Sequence, residues 1–297
     1  MSEPAVQIRN VVKRFAAHTA VRDLSLVVPR GTVYGLLGPN GAGKTTTIRM
    51  ILNVIAPDSG TITILGQDST GESILDRVGY LPEERGLYRK MKVRSILRFL
   101  AELKGISRKK ADPLIDEWLE RLSLKSPDKD WGTAKVDELS RGMQQKVQFI
   151  AALLHDPELV ILDEPFSGLD PVNSQALKDT IVELRRRGKT VIFSTHLMDN
   201  AERMCDAVCI ISNGDKVLDG SLADVKAENA GRTVAVALDG APSGEIDRIF
   251  ADRSLVERVD DSNRFFEIEL KPGADAQQLL RAIVGSGARV KRFELVQ

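Results

Sequence analysis

The chain has 297 residues, enough for one large domain with a well-buried core and a small second one. Its 42 basic and 42 acidic side chains balance, whereas a protein that grips nucleic-acid phosphates usually carries a basic excess, so no nucleic-acid partner is expected. No apolar run approaches the roughly 18–20 residues of a membrane span, and the first residues lack the basic and apolar regions of a signal peptide, so the expectation is a soluble cytoplasmic chain.

Short strands rich in valine and leucine are predicted over residues 6–10, 21–28 and 32–37, separated by turn signals such as Pro29-Arg30-Gly31. A helix should begin at Gly43, carry Ile48, Ile51, Leu52 and Ile55, and stop at Pro57-Asp58-Ser59-Gly60. Strands are predicted again over 61–65 and 78–81. From about 91 to 122 the period becomes helical, with Val93, Ile96, Leu97, Leu100 and Leu103 in one stripe and Leu114, Ile115, Leu119 and Leu122 in another.

A helix after Ser140 carries Met143, Val147, Ile150 and Leu154 on one face. The apolar run 159–162 reads as a buried strand, a helix follows Pro171, and strands are expected over 190–194, 207–211 and 216–218. Strands alternating with helices imply a largely parallel sheet covered on both faces. Ala230-Gly231 marks a linker, and the tail beyond it reads strand, helix, strand, strand, helix, strand, the order of a split βαβ unit. Cys205 and Cys209, whose spacing could put both on one helix face, are expected to be small core residues, and His18 and His155 ordinary surface or packing residues.

Two motifs carry chemistry. Gly38-Pro39-Asn40-Gly41-Ala42-Gly43-Lys44-Thr45 fits the phosphate-loop pattern, in which a glycine-rich backbone turns consecutive N–H groups toward phosphate oxygens. Lys44 should reach the β- and γ-phosphates, the Thr45 hydroxyl should ligate Mg²⁺, and Thr46 should border the same nucleotide. The strand at 159–162 delivers Asp163 and Glu164 at its C-terminal end, where open α/β sheets bind ligands. Asp163 would hold Mg²⁺ and Glu164 would polarise the attacking water. Together the motifs predict a nucleoside triphosphate and Mg²⁺ as the bound groups.

With these motifs in order, the chain resembles the nucleotide-binding subunit of an ABC transporter over residues 3–225. The resemblance implies a phosphate-loop fold with a mostly parallel core, an antiparallel β subdomain and a helical subdomain at about 84–140. It gives a domain over 1–228 and a small α+β, ferredoxin-like one over 231–297. It also implies that the nucleotide is ATP, that Phe15 stacks on adenine, that Ser167-Gly168-Leu169-Asp170 is the D-loop, and that His196 contacts the γ-phosphate.

Leu139-Ser140-Arg141-Gly142-Met143 stands at the signature position, where Ser140 can cap the following helix and the family's element reaches the nucleotide of a second subunit. Arg141 and Met143 depart from the usual Leu-Ser-Gly-Gly-Gln, and Glu83 stands where a glutamine is usual, as a candidate metal or water ligand. Residues 80–88 and the added tail resemble sodium-extrusion and drug-export subunits. These features imply a homodimeric ATPase, peripheral on the inner face of the cell membrane, driving a separate multi-span subunit. The alternative is a soluble ABC-type mechanoenzyme of translation or DNA repair, but neither a long coiled coil nor a second such domain is evident.

Overall fold

A computed structural model describes residues 3–16, 18–84, 86–228, 233–239, 244–261 and 265–295. Arg85 and the linker residues Ala230 and Gly231 lie outside the described residues. The chain divides into two compact units, Met1–Leu222 and Ala223–Gln297.

In the first unit, strands β1 (Val6–Phe15) and β2 (His18–Val28) form a long hairpin, followed by β3 (Val33–Leu37) and helix α1 (Lys44–Ile51). Next come β4 (Ser59–Ile64), the two-residue β5 (Gln67–Asp68) and β6 (Val78–Leu81). Helices α2 (Val93–Leu103), α3 (Arg108–Arg121) and α4 (Arg141–Leu153) precede β7 (Leu159–Leu162), α5 (Pro171–Arg186) and β8 (Thr190–Thr195). Helix α6 (Met198–Met204), β9 (Ala207–Ser212) and β10 (Asp215–Ser221) complete the unit, and α7 (Leu222–Glu228) starts at its boundary.

The central sheet has the order β10-β9-β3-β8-β7-β6, parallel throughout except for β10, which pairs antiparallel at the edge. Every residue of β3, β7 and β8 is buried, which is why β7 is an unbroken apolar run rather than an alternating one and why the polar residues of β8, Thr190, Ser194 and Thr195, are buried too. A second, antiparallel sheet runs β2-β1-β4-β5. Ile8, Leu24, Ile48, Ile62 and Ile161 belong to one buried cluster joining this sheet, α1 and the central sheet. That packing fixes the start of α1 against the end of β3.

Helix α1 ends at Ile51, short of the Pro57 stop expected from the sequence. Asn53 takes a left-handed conformation (φ 53°), the Val54 N–H donates to the Arg49 carbonyl (2.9 Å), and the Asn53 N–H donates to that of Met50 (3.1 Å). This pair of bonds closes a helix on asparagine as well as on glycine, so Ile55 lies outside the helix. Leu103, expected in the buried stripe, is 65% exposed because α2 stops there. Cys205 and Cys209 are both buried, but Cys209 lies in β9, so they share no helix face.

In the second unit, β11 (Thr233–Leu238), α8 (Gly244–Phe250), β12 (Val256–Asp261), β13 (Phe266–Leu270), α9 (Ala276–Gly285) and β14 (Val290–Leu295) follow in turn. The sheet order is β12-β13-β11-β14, with every pairing antiparallel. Strand β13 is inserted between β11 and β12, which makes this a split βαβ, ferredoxin-like unit. Val234, Val236, Ile268 and Leu270 of the sheet pack against Ile246 of α8 and Leu279 and Ile283 of α9.

Candidate functional site

Strand β8 lies between β3 and β7, with Leu37 opposite Thr195 and Leu162 opposite Phe193. The loops that leave the C-terminal ends of these three strands are therefore neighbours. After β3 the chain turns through Gly38, whose φ of 147° and contact with the Ile211 carbonyl leave no room for a side chain. Gly43 (φ 109°) precedes α1, and no side chain caps the first N–H groups of that helix, which leaves them for an anion. Lys44 is only 6% exposed, and its Nζ donates to the carbonyls of Gly38 (2.8 Å) and Pro39 (3.1 Å).

At the end of β7, Asp163 is fully buried and its Oδ1 accepts from the Ser194 hydroxyl (2.5 Å). Its Oδ2 is buried with no hydrogen-bond partner. Glu164 takes a left-handed backbone (φ 47°), a costly conformation for a residue with a side chain, and its N–H donates to the same Ser194 oxygen (2.9 Å). The Glu164 carboxylate approaches Lys44 Nζ at 3.7 Å and His196 Nδ1 at 3.2 Å. Lys44 and His196 thus both lie beside the Glu164 carboxylate.

A cavity of about 400 Å³ opens beside this carboxylate. It is lined by Asn40, Gly41, Gly43, Lys44, Thr45 and Thr46 of the phosphate loop and the start of α1, by Glu83 and Glu164, and by Phe15, His18 and Ala20 of the β1–β2 hairpin. Phe15 is 42% exposed and stacks on His18, with ring centroids 6.2 Å apart and planes 28° from parallel. His18 therefore belongs to the cavity wall and is no ordinary surface histidine. Its position on the β1–β2 hairpin, folded over the phosphate loop, carries no motif that the sequence alone reveals.

The donor set suits Mg²⁺. Asp163 Oδ2 is an orphaned carboxylate oxygen, costly to bury unless a cation takes it, and Thr45 and Glu83 add oxygens on the cavity wall. Among the described residues, no group of three or more His, Cys, Asp or Glu side chains could hold a metal on its own. An ion shared with phosphate oxygens fits that composition.

Ser140, Gly142 and Asp170 do not line this cavity. Ser140 caps α4 by accepting from the Met143 N–H (3.3 Å), and Asp170 caps α5 by accepting from the Asn173 N–H (2.9 Å). That N–H, with the Asn173 amide, holds the Asp170 carboxyl below the usual aspartate range. A side chain on Gly142 would come within 3.2 Å of Leu169, so the starts of α4 and α5 sit against each other. Gln144 donates to the carbonyls of Val136 (3.1 Å) and Leu139 (2.9 Å), and Gln145 to that of Pro165 (3.3 Å). Both glutamines next to the altered signature are thus spent inside the subunit.

The family model "ABC transporter" matches residues 21–167, and "ATP-binding protein DrrA1-3-like, C-terminal domain" matches residues 220–297. The ABC transporter ATP-binding protein YhaQ of Bacillus subtilis (strain 168) is 46% identical over 232 residues, covering 78% of this chain and 76% of that relative. The chain belongs to the ABC transporter ATP-binding proteins. Another member, the Nod factor export ATP-binding protein I of Rhizobium sp. (strain N33), is 37% identical over 262 residues, 88% of this chain and 84% of that one. The solved ATP-binding subunit of an ABC transporter superposes with a TM-score of 0.69 at 32% identity, over 75% of this chain and 92% of that one.

This subunit accordingly has the ABC ATPase fold, and the ABC-type α/β architecture expected from its sequence is the one found. Among its described residues, no helix is long and apolar enough to cross a membrane.

Proposed function

We propose that this ABC subunit hydrolyses ATP to power export through a separate multi-span membrane subunit. The Glu164 carboxylate carries the reading: it lines the phosphate-loop cavity with Lys44 3.7 Å away and His196 3.2 Å away. ATP would lie with adenine against Phe15 and its phosphates along the N–H groups from Gly38 to Thr46. Thr45 and Asp163 would hold Mg²⁺, which would supply positive charge to the phosphates. Glu164 takes a proton from the attacking water as its oxygen bonds to the γ-phosphorus and the bond to ADP breaks. Lys44 offsets the charge on the phosphates, and His196 orients Glu164 and reaches the γ-phosphate.

Ser140, Gly142 and Asp170, away from that cavity, would serve the nucleotide of a second copy, so that a homodimer encloses two ATP molecules. The nucleotide-binding part spans 1–228, and the part at 231–297 is accessory. No nucleic acid takes part. The name of the Nod factor export relative supports the direction of transport. Attachment to the inner face of the membrane would come through the partner.

The first unit offers a place for that partner. A cavity of about 350 Å³ is lined by Leu52, Val54, Leu75, Tyr80, Leu100 and Leu103 among others, with Val54 63% and Leu103 65% exposed at its rim. Tyr88, in the loop before α2, and Phe99 of α2, also exposed, form an edge-to-face pair. An amphipathic helix of the membrane subunit would cover these groups. Purification from detergent-solubilised membranes tests this: a multi-span protein should accompany the parent chain and be lost from Leu103→Asp. Association with ribosomes or DNA instead would overturn the transport reading.

A further inference from the structure

We propose that Ser194 is a positioning residue of the ATPase site: its single hydroxyl aims Asp163 at the metal ion and holds Glu164 in place. The proposal rests on the nucleotide reading above. A serine hydroxyl has one hydrogen to give and lone pairs to receive with. Ser194, fully buried, gives its hydrogen to Asp163 Oδ1 (2.5 Å) and receives the Glu164 N–H (2.9 Å).

A buried serine in a strand is usually a small core residue satisfied within its own strand. Here both partners lie past the end of the neighbouring strand β7, one on each of the two carboxylate residues. The consequences differ for the two. Because Ser194 occupies Oδ1, Asp163 keeps Oδ2 as its unpartnered oxygen, so the hydroxyl decides which oxygen the cation receives. For Glu164, the bond satisfies the N–H of a residue held at a φ of 47°, a conformation that persists only where its surroundings fix it.

The rest of the strand end serves the same site. The Thr195 carbonyl accepts from the Gly38 N–H (3.3 Å), and His196, two residues after Ser194, reaches Glu164. One short segment of β8 and its exit therefore touches the phosphate loop, the metal-facing aspartate and the glutamate.

Ser194→Ala removes the hydroxyl without adding volume, and Ser194→Thr restores it. Affinity for a fluorescent ATP analogue is measured in EDTA and in Mg²⁺, with the Mg²⁺ concentration for half-maximal phosphate release and the melting temperature alongside. Loss of one hydrogen bond to a charged group should cut the Mg²⁺-dependent gain in affinity about tenfold in Ser194→Ala, while binding in EDTA stays within about twofold. The half-maximal Mg²⁺ concentration should rise and kcat fall more than KM changes. Ser194→Thr should recover the Mg²⁺ gain, and if it does not fold, Ser194→Ala alone decides. The proposal is overturned by a full Mg²⁺ gain in Ser194→Ala, or by equal losses with and without the metal, which would mark a purely structural serine. A parent chain that binds no ATP overturns the nucleotide reading itself.

Discussion

Nδ1 of His196 lies 3.2 Å from Oε1 of Glu164, joining the exits of the adjacent strands β8 and β7. Removing the ring frees the carboxylate to leave the line along which it accepts a proton, without touching the phosphate loop. His196→Ala should lower hydrolysis about 100-fold or more, with ATP affinity changed by less than about threefold. Phosphate release and equilibrium nucleotide binding measure the two quantities. Equal losses in both would assign His196 to binding alone.

Phe15 and His18 form one wall of the cavity, so the base should rest on a pair of rings. Phe15→Ala should weaken ATP binding by about 1–3 kcal/mol, the ordinary worth of one base–aromatic stack. His18→Ala should weaken it by less, since that ring braces the first. Tripolyphosphate, which has no base, should bind both variants as it binds the parent. Competition against a fluorescent nucleotide reads all three, and a matching loss for tripolyphosphate would place the rings on the phosphates instead.

His155 is half-buried, with Nε2 on the Val78 carbonyl (3.1 Å) and Nδ1 unpartnered in the interior. Burial is the main cause that holds its pKa below the ordinary histidine value of 6.5. Below 6.5 the unfolded chain binds a proton here that the folded chain resists, so unfolding takes up protons and stability rises with pH. The contribution is complete above 6.5 and is lost as pH falls toward the folded value. Melting temperatures of the parent and His155→Gln between pH 5 and 8 should converge toward the acid end, whereas a constant gap would remove this histidine as a cause.

Much of this was legible because periodicity and position agreed. The strands at 78–81 and 159–162 have the bounds that their apolar runs predict. Lys44 and Glu164 stand out by their motifs and His196 through the resemblance, and each follows the end of a parallel strand. What escaped depends on contacts across the fold. Asn53 ends α1 through two backbone bonds that the apolar spacing past it does not reveal. Helix α6, only seven residues long, is too short to show a period. Ser194 looks like any serine in an apolar strand until β7 is set beside it, and His18 acquires its place only when the hairpin folds over the loop.

The central claim, that Glu164 is the base of an ABC-type ATPase, is tested most directly by Glu164→Gln in the purified chain with Mg²⁺ and ATP. The amide keeps the shape of the side chain and removes its ability to take a proton. Phosphate release should fall about 100-fold or more, ATP should remain bound, and size-exclusion chromatography should show the variant accumulating as a dimer. Turnover equal to that of the parent would contradict the account.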